Sequence, residues 1–323
     1  MSVHGSKLNT MNQNNPEILL VGTGAVGSFY GGKLFQAGAR VSTLCRSDYD
    51  IVKKNGISVQ SIYGNFTYKP DEVIRTADEY SKKPDYIIVA TKVLPEIDIV
   101  SMIKKTVHPG TSIVLMQNGI GIEKPVRSSF PDNEIISALA FICVSRNSPG
   151  NIDHQDYGRI VIGTYPSGIS EKVELLCSLL KKSGVPCEID TNITAARWKK
   201  LIWNAPFNPI SVLAGGADTK SMMESEATFH LIEEVMKEVA LLAEKTGTAL
   251  SEDIIKKNLD DTRVMKPYKT SMLLDFENKR PLEVEAILGN ALRIASEQGI
   301  TVPHIESLYG LLILADLHNR AGT

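Results

Sequence analysis

Hydrophobic and polar positions follow two different rhythms along this chain of 323 residues. Up to about residue 190, short apolar runs typical of buried strands alternate with segments of helical periodicity. The strands are predicted at 17–21, 40–45, 86–90, 112–116, 135–144, 159–165 and 185–189. This β-α-β alternation favours a mostly parallel, doubly wound sheet.

After residue 190 the strand pattern nearly disappears and helical periodicity takes over. The helices of this part are predicted at 193–212, 224–246, 251–259, 282–298 and 305–319. We therefore predict an α/β fold, a Rossmann-type doubly wound sheet followed by an all-α C-terminal domain. The expected divisions are a disordered leader at 1–15, a sheet domain at 16–190 and a helical domain at 191–323.

A glycine-rich turn follows the first predicted strand. The residues Gly22-Thr23-Gly24-Ala25-Val26-Gly27 have the spacing G-x-G-x-x-G between an apolar strand and a helix. The first glycine permits a tight turn, the second lets a pyrophosphate approach the backbone, and the third lets the helix pack closely on the strand. The amino end of the helix offers N–H groups and the positive end of its dipole. The pattern predicts a dinucleotide site, and the alternative is a glycine-rich turn that binds nothing.

The end of the second strand distinguishes between two dinucleotides. An acidic residue there favours NAD, whereas a nearby arginine accommodates the 2′-phosphate of NADP. Here the strand ends at Cys45, Arg46 follows, and Asp48 comes two residues later. We therefore predict NADPH as cofactor, with Arg46 on its phosphate. The alternative is a solvated arginine that pairs with Asp48.

Polar residues also follow two later strands. Lys92 comes after the strand at 86–90, and Asn118 comes after the strand at 112–116. Ligands of such sheets bind beyond the carboxyl ends of the strands. We therefore expect Lys92 to bind a phosphate or a ribose hydroxyl, and Asn118 to donate to the cofactor or the substrate. The alternatives are a surface lysine and a turn amide.

The first helix of the second half carries a polar stripe. Lys200, Asn204 and Asn208 are spaced i, i+4 and i+8 among apolar neighbours, so they lie on one side of the helix. Pro206 and Pro209 predict that this helix is kinked or ends near the amides. The alternative interpretation is a snorkelling lysine with capping asparagines.

Two residues further along the chain complete the candidate set. The hydroxyl of Ser271 suits a substrate carboxylate, and the carboxylate of Glu283 suits a hydroxyl or an ammonium group. Taken alone, each signal is weak. Glu283 also fits the first turn of a helix that begins at Pro281, where acidic residues are common.

The composition of the chain argues against several classes of protein. A net charge of −2 argues against a nucleic-acid surface or a polybasic membrane anchor. No apolar run reaches the roughly 18 residues that a membrane span needs. Four cysteines without a C-x-x-C motif predict reduced thiols and a cytoplasmic location. The six histidines show no ligand spacing, so no metal is predicted.

In their order and spacing, these residues resemble the ketopantoate reductase family over about residues 17–319. The resemblance rests on the glycine turn, Arg46, Thr91-Lys92, Asn118-Gly119, Lys200-Leu201 with Asn204 and Asn208, Ser271-Met272, and Glu283 followed by Gly289. It implies NADPH-dependent reduction of a 2-oxo acid, namely 2-dehydropantoate, in pantothenate synthesis. The chain departs from the pattern at Tyr268, where members often carry an asparagine, and at Asp218, where some carry an amide.

The resemblance also implies roles for single residues. Lys200 is implied as the general acid, and the substrate would be held by Asn204, Asn208 and Ser271. Asn118 would lie between cofactor and substrate, and Glu283 would contact the substrate hydroxyl or the nicotinamide ribose.

Two alternative functions remain open at this point. One is a related hydroxyacid dehydrogenase acting on another small oxo acid, and the other is a non-catalytic NADP-sensing protein. The apolar helices after residue 224 suit either a homodimer across a two-fold axis or packing within their own domain.

Overall fold

The computed structural model describes residues 15–321, so residues 1–14 of the expected leader lie outside the described residues. Within this range, ten strands form one sheet. Their bounds are β1 (Glu17–Val21), β2 (Arg40–Leu44), β3 (Ile57–Ser61), β4 (Phe66–Tyr68), β5 (Val73–Ile74), β6 (Tyr86–Val89), β7 (Ser112–Leu115), β8 (Ile135–Ser148), β9 (Asn151–Thr164) and β10 (Cys187–Ile189).

The sheet is parallel at its centre. β1 lies between β2 and β6, and β7 and β8 continue the parallel series beyond β6. β8 and β9 then form a long antiparallel hairpin, and both β3 and β10 pair in parallel with β9. The predicted doubly wound sheet is therefore confirmed, with a mixed region around the hairpin.

Both faces of the sheet are covered. In β1, Ile18 and Leu20 face one apolar core, whereas Leu19 and Val21 face the core on the opposite side. All four side chains are buried because successive residues of a strand point to opposite faces. This two-sided burial explains why the strand is a continuous apolar run rather than an alternating one.

The second half of the described chain is helical and has its own apolar core. Helices α1 to α5 lie among the strands of the first half, and α6 to α12 make up the second half. The bounds of the α-helices are α1 (Ala25–Gln36), α2 (Tyr49–Asn55), α3 (Ile99–Ile103), α4 (Glu123–Ser129), α5 (Glu171–Lys182), α6 (Ile193–Leu213), α7 (Thr219–Glu224), α8 (Glu226–Lys245), α9 (Ile254–Val264), α10 (Ser271–Glu277), α11 (Asn290–Gln298) and α12 (Pro303–Ala321). None of the helices in residues 15–321 is both long and apolar enough to cross a lipid bilayer.

The helices of this half differ from the predicted ones in two details. The first helix does not end near its prolines, because α6 runs through Pro206 and Pro209, and a kink at these residues stays a prediction. Each proline removes one N–H donor from the helix, yet α6 is buried along most of its length and packing stabilises it. The helix predicted at 282–298 begins instead with a π-helical segment, Glu285–Gly289, ahead of α11.

Candidate active site

The glycine-rich turn lies between β1 and α1, as the sequence predicts. β1 ends at Val21 and α1 begins at Ala25. A Cβ atom on Gly27 would lie 2.3 Å from the carbonyl oxygen of Gly22, which is closer than real Cβ atoms come. Only glycine at this position lets the first turn of α1 pack so closely against the preceding loop.

The amino end of α1 faces open space. Gly24 occupies the N-cap position without a side chain that could bond the first N–H groups, and a Cβ atom built on it would meet nothing within 4 Å. The first N–H groups of a helix have no acceptor inside the helix, and the positive end of its dipole lies at the same point. The turn therefore fits the pyrophosphate of a dinucleotide.

Arg46 follows β2 and is exposed. Asp48 does not pair with it, because the Oδ1 of Asp48 lies 2.6 Å from a guanidinium nitrogen of Arg146 on β8. Among the described residues, Arg46 forms no ion pair. The alternative in which Asp48 neutralises Arg46 is thus excluded, and the binding of a 2′-phosphate by Arg46 stays a prediction.

The polar stripe on α6 faces a cleft of about 710 Å³ between the sheet and the helices. Lys200, Asn204 and Asn208 all line it, and so does Ser271 at the start of α10. Both asparagines are almost entirely buried. The Oδ1 atom of Asn208 has no hydrogen-bond partner among the described residues. Because an unpaired buried acceptor is unfavourable, this amide is suited to bind a ligand.

Asn118 links Lys200 to Glu283. The Nζ atom of Lys200 donates to Oδ1 of Asn118 at 2.9 Å and to the carbonyl oxygen of Ala140 at 2.7 Å. The Asn118 side chain is also close enough to the Glu283 carboxylate to lower its pKa, and this carboxylate accepts from the backbone N–H of Val93 at 2.9 Å. Three residues that are far apart in the sequence thus come together: Lys200 and Asn118 line the cleft, and Glu283 lies next to Asn118 outside the lining.

The surroundings of Lys200 favour its neutral form. Burial, and after it the charge of Arg197, lowers the pKa of Lys200 to about 7, whereas Glu283 opposes this shift and Arg159 adds to it. Burial also raises the pKa of Glu283, although the Val93 N–H counteracts this effect. Lys200 therefore gains and loses its proton near neutral pH, which suits a general acid.

Lys92 connects the loop after β6 to the helical half. Its Nζ atom donates to the carbonyl oxygen of Pro281 at 2.8 Å and lies 2.7 Å from a carboxylate oxygen of Asp275. A lysine has three N–H donors, so one donor is left for a phosphate or a ribose hydroxyl. The cofactor-binding role of Lys92 stays a prediction.

The two departures from the family pattern lie in different places. Tyr268 lines the cleft, and its hydroxyl hydrogen-bonds with the thiol of Cys143. Asp218 instead caps α7, where its carboxylate accepts from the backbone N–H of Ser221 at 2.8 Å. It is not among the residues that line the cleft. Tyr268 therefore changes the wall of the cleft, whereas Asp218 adds no negative charge to it.

The wall of the cleft that β8 and β9 build was not predicted from the sequence. Phe141 and Arg159 are direct cross-strand partners, and the guanidinium carbon of Arg159 lies 4.2 Å from the centre of the Phe141 ring. The Nζ atom of Lys200 lies 5.1 Å from the same ring. The apolar run at 135–144 indicated a strand, but nothing in the sequence indicated the register that brings these two side chains to Lys200.

One group of potential metal ligands lies on α8, outside the cleft. It consists of His230, Glu233 and Glu234. Lys237 pairs with both carboxylates, at 3.7 and 2.8 Å. None of the three lines the cleft, so this group is separate from the candidate active site.

Comparison with known protein families gives two matches. The model of the family "Ketopantoate reductase PanE/ApbA" matches residues 18–167. The model of its C-terminal part matches residues 192–315. Together, the two models cover every strand of the sheet except β10 and most of the helices described above.

Individual relatives agree with this result. The 2-dehydropantoate 2-reductase of Nostoc sp. is 35% identical over 316 residues, covering 96% of this chain and 98% of the relative. The crystal structure of 2-dehydropantoate 2-reductase from Methylococcus capsulatus is 46% identical with a TM-score of 0.89, covering 94% of this chain and 97% of the other. The crystal structure of 2-dehydropantoate 2-reductase from Geobacter metallireducens is 32% identical with a TM-score of 0.85, covering 93% of this chain and 99% of the other. The chain belongs to the ketopantoate reductase family.

Proposed function

We propose that this protein reduces 2-dehydropantoate to pantoate with NADPH, a reduction of a 2-oxo acid to a 2-hydroxy acid in pantothenate synthesis. The observation that carries the proposal is the cluster of Lys200, Asn118 and Glu283 beside the cleft, in which Lys200 donates to Asn118 at 2.9 Å. A protein that only senses NADP needs no such arrangement beside its cofactor turn.

The two parts of the chain would divide the work. Residues 16–190 form an NADP-binding Rossmann domain in this proposal, and residues 191–323 form the substrate and catalytic domain. NADPH, when bound, supplies the hydride. The residues proposed to hold it are the glycine turn at 22–27 for the pyrophosphate, Arg46 for the 2′-phosphate, and Lys92, Asn118 and Glu283 for the ribose and nicotinamide end.

Lys200 is the proposed proton donor. When the C2 carbonyl of the acid is reduced, negative charge develops on its oxygen, and an adjacent ammonium group stabilises that charge and supplies the proton. Two of the three N–H groups of Lys200 are directed at Asn118 and Ala140, which leaves the third for the substrate oxygen. Glu283 favours the charged form of Lys200, because its carboxylate raises the pKa of the ammonium.

The carboxylate and hydroxyl groups of the acid would be held by Asn118, Asn204, Asn208 and Ser271. We expect Asn208→Ala to raise KM for the acid by up to about tenfold, because its unpartnered Oδ1 atom would accept a hydrogen bond from a hydroxyl group of the acid and one net hydrogen bond contributes about 0.5–1.5 kcal/mol. Steady-state kinetics would measure this. Asn258→Ala is the control, since the Asn258 amide at the edge of the cleft bonds the carbonyl of Ile254 at 2.8 Å. An unchanged KM in Asn208→Ala would remove Asn208 from the binding site.

Arg46→Ala is expected to raise KM for NADPH about tenfold or more and to leave KM for NADH almost unchanged, because only NADPH has the 2′-phosphate for a charge-assisted bond. Arg40→Ala is the matched control. Arg40 lies at the other end of β2, where it pairs with Glu17 and Asp71. If Arg46→Ala kept the wild-type ratio of the two KM values, another residue would have to recognise the phosphate.

The direct test of the function is oxidation of NADPH by the purified protein with 2-dehydropantoate beside other 2-oxo acids and 3-hydroxy acids. The highest kcat/KM is expected for 2-dehydropantoate. A higher value for another acid would favour the hydroxyacid dehydrogenase alternative. Tight NADPH binding without oxidation by any acid would favour the sensing alternative.

We further propose a homodimer in the cytoplasm. Leu311, Leu314 and Leu317 are all more than half exposed on α12, and a second copy of the chain would cover this apolar surface. The four cysteines are free thiols, which supports a reducing compartment. Sedimentation of the purified protein as a monomer would contradict the dimer.

A further inference from the structure

An ion pair that takes no direct part in the proposed reaction is buried between α4 and α6. The Nε atom of Arg197 lies 2.5 Å from Oε1 of Glu123, and each side chain is only 3% exposed. The hydroxyl of Ser137 on β8 donates to Glu123 at 2.7 Å and accepts from Arg197 at 3.1 Å. Both charges are thus removed from water and held within the protein.

The same guanidinium binds the backbone on both sides of Asn118. One terminal nitrogen of Arg197 donates to the carbonyl oxygen of Gln117 at 2.9 Å and to that of Gly119 at 3.0 Å. On its other side, Gly119 packs against the helical half so closely that a Cβ atom would lie 2.4 Å from the carbonyl oxygen of Ala286. The position of Asn118 is therefore fixed from outside its own loop.

Arg197 and Lys200 are neighbours on α6. They lie three residues apart, which is about one helical turn. Arg197 binds the two carbonyl groups that flank Asn118, whereas Lys200 binds the Asn118 side chain itself. Arg197 thus positions the loop that carries Asn118, and Lys200, one helical turn further along α6, binds the side chain of Asn118.

Stability alone is a poor explanation for this buried pair. Removal of two charges from water is unfavourable, and replacement of buried ion pairs by apolar residues is often neutral or stabilising. The contacts beside Asn118 have a different consequence, because they restrict the geometry of a site that is formed by two separate parts of the chain.

We propose that Arg197 is a positioning residue for the reduction: it fixes Asn118 against Lys200, while Glu123 and Ser137 hold its guanidinium in place. The inference rests on the proposed function. Arg197 acts through Asn118 and Lys200 and needs no contact of its own with substrate or cofactor. A misplacement of about 1 Å in a catalytic site can reduce the rate about 10²-fold.

Arg197 also contributes to the charge around Lys200. The groups that face this ammonium are Arg197 on α6, Arg159 on β9, Glu283 before the π-helical segment and the amide of Asn118. The two arginines lower the pKa of Lys200, and Glu283 raises it. Loss of the Arg197 cation is therefore expected to raise the pKa of Lys200, which a purely structural role would not do.

The test compares Arg197→Lys with the double variant Glu123→Gln, Arg197→Met, which leaves no lone carboxylate in the interior. With the acid that the wild type reduces, both are expected to lose kcat about 10- to 100-fold with little change in KM for NADPH. The double variant should move the basic limb of the kcat–pH profile to higher pH. Arg197→Lys should leave that limb in place, because lysine keeps the charge. It should still lose kcat, because lysine cannot bind two carbonyl groups and a carboxylate at once.

Arg127→Met is the matched control. Arg127 on α4 also holds backbone carbonyls, those of Asn133 at 3.0 Å and Tyr165 at 3.1 Å. Neither Asn133 nor Tyr165 lines the cleft. This variant is therefore expected to keep the wild-type kcat and the wild-type pH profile.

An NMR titration of Lys200 in lysine-labelled protein, assigned with Lys200→Met, reports its pKa without any turnover. A raised pKa in the double variant would support the inference even if the wild type did not reduce 2-dehydropantoate, so the two proposals can fail separately. A folded double variant with wild-type kcat would overturn the positioning role of Arg197, whatever the pKa of Lys200. If the double variant does not fold, wild-type kcat in Arg197→Lys overturns it instead.

Discussion

Lys200→Ala is expected to lower kcat about 10²- to 10⁴-fold, the usual contribution of one general acid. The variant loses both the proton donor and the ammonium that would stabilise the negative charge on the substrate oxygen. Binding of NADPH should persist, because the glycine turn and Arg46 lie outside α6. Single-turnover kinetics and a calorimetric titration with NADPH would measure the two effects separately.

The adjacent lysine provides the control for this experiment. Lys199→Ala removes the same charge one residue away. The Lys199 side chain also borders the cleft, but it is exposed, points about 100° from Lys200 on an ideal helix and does not share the bonds of Lys200 to Asn118 and Ala140. We expect this control to keep most of kcat. Near-wild-type turnover in Lys200→Ala, or an equal loss in the two variants, would remove Lys200 from the proposed mechanism.

The pH profile adds a second criterion. Because burial lowers the pKa of Lys200 to about 7, the ammonium fraction falls about tenfold for each pH unit above that value. In the wild type, kcat for reduction is therefore expected to decrease on the basic side of neutrality. The residual kcat of Lys200→Ala should lack this basic limb.

The sequence predicted the parts of the site that depend on local patterns. The glycine turn has the strand and the helix that its motif requires, and α1 begins at Ala25 as predicted. The i, i+4, i+8 stripe places Lys200, Asn204 and Asn208 on one side of α6, towards the cleft. Both features depend on residues within a few turns of one another, for which periodicity is a direct physical signal.

The remaining features depend on contacts between distant parts of the chain. Asn118 accepts a hydrogen bond from Lys200 and lies next to Glu283, and no local pattern states which loop meets which helix. The short strands β3, β4 and β5 were not predicted, and neither was the first part of β9. The sequence of β9 before Gly158 is mostly polar, and its strand character comes from pairing with β3 and β8.

Glu283→Gln is expected to reduce kcat in a pH-dependent way. The carboxylate raises the pKa of Lys200, so its replacement by a neutral amide lowers that pKa below its wild-type value of about 7. The basic limb of kcat therefore moves to lower pH. If the shift is about one pKa unit, the loss is about tenfold near pH 8 and only about twofold near pH 6, where half of the amine is still protonated.

Glutamine is the appropriate replacement because its side-chain oxygen still accepts the hydrogen bond from the Val93 N–H that Glu283 accepts at 2.9 Å. The matched control is Glu285→Gln, since Glu285 pairs with Arg293 and Tyr309 and is not among the groups that shift the pKa of Lys200. This control removes a carboxylate from the same segment and should leave the pH profile in place. A Glu283→Gln profile with equal losses at both ends of the pH range would show that Glu283 acts by binding a ligand rather than by stabilising the Lys200 ammonium. A shift of the basic limb to higher pH would contradict the electrostatic role outright.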